Sequence, residues 1–254
     1  MKSEMYTATQ GLIARQLQLD SISNNIANVA TTGFRETSPF FRSFNRALDE
    51  GPLNPLNSAA NNQPVAAGLY MHSRQGSMKE TENPLDLAID GDGFFKVQTP
   101  FGDRYTRNGN FKIQKLNNSD TTGELVTANG YKVLDTNGRP IQLDLQSSNA
   151  YINRKGVVIQ DGANRGQIAL VSFADKTQLT AEEDTLLNNQ DPQAQEIPGR
   201  GDIRGGYLEM SNVNIAREMI QMIEAQRAFE LNTRAIKTID TGMNQTVIQG
   251  YAAR

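Results

Sequence analysis

The chain has no cysteine and one histidine, His72. Disulfide scaffolds, thiolate zinc sites, thiol nucleophiles and multi-histidine metal centres are excluded together. Charge of one sign is also lacking: 25 Lys+Arg against 28 Asp+Glu leave a net charge of -3 over 254 residues. That balance argues against wholesale binding to nucleic acid or to an anionic membrane surface. No apolar run approaches the ~20 residues a membrane helix needs. The opening Met1-Lys2-Ser3-Glu4-Met5-Tyr6 has no apolar signal-peptide core. Hydrophobic residues make up only 37% of the chain, so a modest core and much polar surface or polar contact are expected.

Proline and glycine are scarce at both ends and crowded in the middle. Residues 1–30 hold no proline and only Gly11, and residues 211–249 hold no proline and only Gly242. Residues 50–206 carry all but one of the nine prolines. The pattern reads as helix, turn-rich middle, helix.

Met5, Leu12, Leu19 and Ile26 recur every seven residues, with Ile22 and Val29 three places after the last two. This is an a/d-type seam, although Ala8 and Arg15 occupy the earlier d positions. Gly33 is a candidate left-handed stop. The second seam is stricter: Ile215, Met222, Phe229, Ile236 and Met243 are seven apart, and Ala225 and Ile239 follow at three. Ser211, Asn212 or Asn214 can cap this helix, which over about 213–248 would run roughly 54 Å. The flanks are uncharged amides, among them Asn24, Asn25 and Asn28, which suit polar contacts between neighbouring helices. The expected fold is α+β: long terminal helices paired as a coiled coil, with a central, mostly antiparallel β domain. The pair is either an exposed two-helix stalk or one unit in a larger bundle of like pairs. A free monomer gains little from two long apolar seams, which favours the bundle. The expected subunit-interface residues are therefore Met5, Leu12, Leu19, Ile22, Ile26, Asn24, Asn25, Asn28, Ile215, Met222, Phe229, Ile236, Ile239 and Met243.

The middle reads as strands over 85–89, 93–98, 109–114, 124–127, 131–134, 141–145, 157–160 and 167–173. Asn108-Gly109, Asn129-Gly130, Asn137-Gly138 and Asp161-Gly162 separate several of them and favour left-handed hairpin turns. Short strands at this spacing suggest an antiparallel sandwich or irregular barrel. The expected domains are 1–35 with 207–254 (helical), 36–70 (an extended connector with a short helix near 40–48) and 71–206 (β-rich). Residues 191–204 read as a loop into the last helix.

Little here suggests catalysis. Asp90-Gly91-Asp92-Gly93 resembles the start of a calcium loop, but the twelfth position is Phe101 rather than a bidentate acid. A tight turn between strands is the better reading. Asp90 with Asp92, or Glu182-Glu183-Asp184, show no spacing that would split their pKa values for acid–base work. Gly199-Arg200-Gly201-Asp202-Ile203-Arg204-Gly205-Gly206 matches no phosphate-binding pattern and reads as a flexible helix entry. His72 lacks a partner of its own kind, and Phe40-Phe41-Arg42-Ser43-Phe44 reads as a packing anchor or interface patch before a base-stacking surface. No catalytic, cofactor or metal residue is assigned.

Three segments carry a resemblance. Ser21-Ile22-Ser23-Asn24-Asn25-Ile26-Ala27-Asn28-Val29-Ala30-Thr31-Thr32-Gly33-Phe34 resembles the N-terminal signature of bacterial flagellar rod and hook proteins. Residues Asn83 to Val97, with Tyr105-Thr106-Arg107-Asn108-Gly109-Asn110-Phe111, resemble that family's central segment. Residues Leu208 to Asn214, Glu218-Met219-Ile220 and Gln226-Arg227-Ala228-Phe229-Glu230 resemble its C-terminal segment. Length and central segment are similar to the basal-body rod proteins of the proximal/distal paralogue pair. Met5-Tyr6-Thr7-Ala8 leans to the proximal member and Glu209 to Asn214 suit the distal one nearly as well. Residues 36–70 match neither.

The resemblance implies a non-enzymatic structural subunit that stacks helically into a torque-transmitting rod across the periplasm. Terminal helices would form the inner tube and the β domain the outer layer. It implies export, without a cleaved signal peptide, through the flagellar type III apparatus. Implied partners are copies of itself and other rod proteins, with hook protein, rod cap and periplasmic rings as further candidates. No cofactor, nucleic acid or small-molecule substrate is implied, and the chain is not expected to span a membrane. Two rivals stand beside it: a cell-wall enzyme, which would need a carboxylate pair, and a β-domain binding module multimerised by a coiled-coil stalk.

Overall fold

The computed structural model describes residues 2–43, 64–115, 121–146, 150–182, 185–189 and 195–252, without the side chains of 2–8, 41–43, 64–67, 178, 239–240 and 243–252. Among these residues there are two α-helices, α1 (Lys2–Ala27) and α2 (Ile215–Ala252), and strand is the commoner structure. The chain divides into two compact units. One comprises Met1–Ala27, Thr37–Tyr70 and Asn214–Arg254; the other comprises Asn28–Glu36 and Met71–Val213.

In the helical unit, Asn214 caps α2. Its side-chain oxygen accepts from the Arg217 amide at 3.1 Å and its carbonyl from the Glu218 amide at 3.0 Å. The acidic Glu218 in the first turn suits the positive end of the helix dipole. The two helices pack side by side and antiparallel, since Asn25 bonds Glu218 while Gly11 lies against Asn232. They do not form the expected long coiled coil. Such a seam needs a nearly continuous row of apolar knobs at its a and d positions. Here Glu218 and Asn232 occupy that line on α2, Arg15 on α1 is exposed, and Ile215 faces outward. The stalk reading loses its support with it. Helix α1 also ends at Ala27, well before Gly33. Gly33, at φ 73°, marks a close approach instead: a Cβ there would meet the Asn108 amide nitrogen at 2.3 Å.

The segment expected as a connector begins as a strand, Thr37–Ser43, paired with Pro64–Met71. The short helix expected near 40–48 is therefore absent over 40–43, and its remainder lies outside the described residues.

The β unit holds a ten-stranded sheet whose strand pairings, among the described residues, are all antiparallel. At its centre Phe94–Thr99 pairs with Gly102–Thr106, Lys132–Val133 and Leu170–Phe173. Smaller sheets join Ala150–Ile152, Val157–Gln160 and Ala163–Gln167, join Asp202–Gly205 to Leu87–Asp90, and join Tyr207–Glu209 to Met78–Glu80. The core gathers Leu87, Ile89, Phe95, Phe111, Leu125 and Ile203, all buried. Three of the four anticipated turns have the required positive-φ glycines, Gly130, Gly138 and Gly162. Gly109 does not; it is small because the Leu87 carbonyl oxygen would lie 1.8 Å from a Cβ. Residues 202–205, expected as loop, are strand.

Surface charges are tied into pairs. Asp92 accepts from Lys176 at 2.6 Å and from Ser172 at 2.7 Å. Burial works against its ionised form, but these two bonds outweigh it and hold the carboxyl below its ordinary value of 3.8. Glu196 is likewise held below 4.5: burial opposes ionisation, and bonds from Lys96 and Tyr105 overcome it. For groups shifted this way, the stability is present above the unfolded value and lost as pH falls through the folded one. Urea midpoints should therefore be level at neutral pH and fall below about pH 4.5. Lys176→Met should flatten that acid limb, and an unchanged limb would remove Asp92 from the account.

Candidate assembly surface

Helix α2 has two apolar faces. At 100° per residue, Glu218, Met222, Ala225, Phe229, Asn232 and Ile236 fall on one face. Ala225 and Glu218 there are buried, and Met222, Phe229 and Ile236 half-buried. Ile215, Met219, Ile220, Ile223 and Leu231 form a second stripe, centred about 140° away around the helix. All five are exposed, Ile220 by 59%. Ile13 and Leu17 on α1 are exposed as well. An ordinary surface helix has one apolar stripe. A second one, flanked by Glu224 and interrupted by Arg227 between Ile223 and Leu231, has no occupant within the described residues.

The anticipated interface residues do not share one environment. On α1, Ile22 is buried, and Leu12, Leu19 and Ile26 are half-buried. Met5, Ile239 and Met243 lie in helices, with side chains outside the described set. Asn24 is exposed, and Asn28 sits in the turn after α1, its side chain accepting from the Thr31 hydroxyl at 3.1 Å. Ile215 belongs to the second stripe.

Asn25 faces inward. Its Nδ2 donates to the Thr37 carbonyl at 2.9 Å and to Glu218 Oε2 at 3.1 Å, while its Oδ1 accepts the Thr37 amide at 3.0 Å. Ser21 Oγ donates to the same Thr37 carbonyl at 2.8 Å. The clasp ties α1, α2 and the strand at Thr37 together and satisfies groups whose burial would otherwise be costly. Met219, Ile220, Ile223 and Leu231 are not among the interface residues expected from the sequence, because the heptad line lies on the opposite face. Their spacing of 219, 220, 223 and 231 was the signal available.

The motifs weighed for chemistry are engaged structurally. Asp90 pairs with Arg204 at 2.5 Å, Asp92 with Lys176, and Glu182 with Arg104 at 2.6 Å; residues 183–184 lie outside the described set. His72 Nε2 lies 3.9 Å from Glu36. Residues 90–93 form the expected bend between strands. Phe40 is partly exposed over Gly68, and Phe44 is outside the described residues. Among the described residues, no group of three acids or histidines could hold a metal, and no helix is long and apolar enough to cross a membrane.

Three family patterns match in chain order. They are described as Flagella basal body rod protein (residues 5–35), Flagellar hook protein FlgE/F/G D1 domain (88–160) and Flagellar basal body rod FlgEFG protein C-terminal (204–249). The chain is 38% identical to the flagellar basal-body rod protein FlgG of Borreliella burgdorferi, covering 94% of this chain and 96% of that one. It is 34% identical to the FlgG of Bacillus subtilis over 97% and 98%, and 32% identical to the FlgF of Mesorhizobium japonicum over 93% and 92%.

Proposed function

The chain belongs to the flagellar basal-body rod protein family and is a structural subunit of the rod in the flagellar basal body; on that premise we propose that it self-assembles helically into the periplasm-spanning shaft that carries torque to the hook and filament. The observation that carries this reading is the second apolar stripe of α2. An exposed row of Ile215, Met219, Ile220, Ile223 and Leu231 costs a free monomer solubility and leaves about half of each residue uncovered. In a shaft of repeated copies the same row is covered by neighbours. Each buried methylene there contributes about 0.8 kcal/mol, so a few residues per subunit, repeated around and along a lattice, hold it together. Such contacts are heterologous, and they extend rather than close.

The seam residues expected from the sequence divide accordingly. Ile215 and Asn24 face neighbouring subunits, whereas Ile22, Met222 and Phe229 hold the helix pair that presents the stripe. Partners are copies of this chain and other rod proteins, with hook protein, rod cap and periplasmic rings at the ends and flanks of the shaft. The subunit is exported through the flagellar type III apparatus without a cleaved signal peptide, and it is not an enzyme.

Electron microscopy and sedimentation of the concentrated full chain test the reading. Open-ended fibres or stacks whose length grows with concentration are expected. A closed dimer or tetramer at every concentration would overturn it.

A further inference from the structure

Three charges from distant parts of the sequence meet inside the β unit. Arg35 Nη2 donates to Glu209 Oε1 at 2.7 Å, and Arg107 Nη1 donates to Glu209 Oε2 at 3.1 Å. The side chains of Arg35, Arg107 and Glu209 are 4%, 4% and 1% exposed. Glu209 stands 174 residues from Arg35 and 102 from Arg107.

The cluster holds two cations and one anion. Arg35 also donates to the Ser73 and Arg74 carbonyls, and Arg107 to those of Ile89 and Gly91, with its guanidinium over the Phe94 ring. Yet the Nε of each arginine is buried without a partner among the described residues. Burial pushes Arg35 down to about 10, with the neighbouring Arg107 adding to the effect and Glu209 opposing it. Burial also lowers Arg107. Asp92 bears on both arginines but is itself part-exposed and bound to Lys176. Among the described residues, Glu209 is therefore the one carboxylate bonded to both guanidiniums.

Glu209 arrives late along the chain, on the strand Tyr207–Glu209, just ahead of the α2 cap at Asn214. Before it joins, closing the core means dehydrating two like charges side by side with no counter-ion, which is strongly unfavourable. After it joins, the Gly33 amide donates to the Glu209 carbonyl at 2.7 Å and the Gly76 amide to Oε1 at 3.1 Å, and the charges are covered.

We propose that Arg35, Arg107 and Glu209 form a folding gate: the β unit closes only on a chain that already extends to residue 209, so that a closed β unit always comes with a chain about to enter α2. A gate and a plain stabilising lock differ in kinetics. An interaction formed in the transition state changes the folding rate, while one formed afterwards changes the unfolding rate.

The test is refolding and unfolding of the full chain by stopped-flow tyrosine fluorescence. The chain has no tryptophan, and Tyr105 reports on the β unit through its edge contact with Phe173 at 4.8 Å. Glu209→Gln should slow refolding by at least ~10-fold and leave unfolding within ~2-fold of the parent. A second variant, Arg35→Met/Arg107→Met/Glu209→Leu, fills the same space with apolar groups. It should refold faster than the parent, because no like charges remain to be dehydrated, while the loss of the bonds to the Ser73, Arg74, Ile89 and Gly91 carbonyls shows as faster unfolding. Faster unfolding of Glu209→Gln with unchanged refolding would overturn the gate. So would a triple variant that refolds no faster than the parent, and this second measurement decides the matter if Glu209→Gln does not fold.

Discussion

Phe95→Ala is expected to destabilise the β unit by about 3–5 kcal/mol, the range for emptying a fully buried aromatic site. Phe95 has no exposed surface and sits edge-on to Phe111, ring centres 5.1 Å apart and planes at 78°. It lies on Phe94–Thr99, the strand that pairs with three others. Backbone on several sides is fixed by ladder hydrogen bonds, so the site collapses poorly and most of the cavity persists. Against a total of about 5–15 kcal/mol for a typical domain, the loss should appear as a large fall in the urea midpoint. Phe101→Ala is the internal control. Phe101 lies in the turn after the same strand and is 86% exposed. Its removal should change stability by less than about 0.5 kcal/mol. Equal effects for the two phenylalanines would contradict the packing described for the core.

The two phenylalanines also illustrate what local sequence conveys. Residues 85–97 alternate and run apolar in the way a buried strand must, and the core strands Leu87–Asp90 and Phe94–Thr99 stand there. Residues 199–206 read as a flexible loop because four glycines lie among them. The structure pairs Asp202–Gly205 with Leu87–Asp90 instead. Gly201 is glycine because a Cβ would come within 2.6 Å of Ile89 and 3.1 Å of the Asp90 carbonyl oxygen. Close approach and flexibility give the same letter, and only the partner strand separates them. Long-range polar pairs are hidden in a similar way. Arg35, Arg107 and Glu209 carry no period and no spacing rule, so nothing local announced that they are buried together. Asn25 was read as a contact between subunits since amides on a helix flank suit such contacts. Its four bonds to Thr37 and Glu218 tie it into a clasp within the subunit. On the helices, seven-residue repetition puts Met222, Phe229 and Ile236 on one line, all half-buried. It did not reveal that Glu218 and Asn232 interrupt that line, which is why a coiled coil was expected and is not found.

The stripe on α2 yields the prediction with the largest effect on assembly. Ile220→Asp/Ile223→Asp should leave the isolated subunit folded, since Ile220 is 59% and Ile223 50% exposed and neither belongs to a buried cluster among the described residues. The cost to the helix itself is at most about 0.7 kcal/mol per residue from intrinsic propensity. Between subunits the arithmetic is different. Each aspartate must be dehydrated against an apolar neighbour, at about 2–3 kcal/mol or more per group after relaxation. Two such groups amount to roughly 4–6 kcal/mol, and every 1.4 kcal/mol is tenfold in affinity. Association should therefore weaken by about three to four orders of magnitude, enough to abolish fibres and, in cells, rods and motility. Phe229→Asp makes the useful contrast. Phe229 lies on the face turned to α1, so its substitution should lower helicity and assembly together. The double variant should lower assembly alone. If it polymerises normally and cells carrying it swim, the neighbouring copy does not sit on this stripe, and the contacts that build the shaft must be sought on α1 around Ile13 and Leu17.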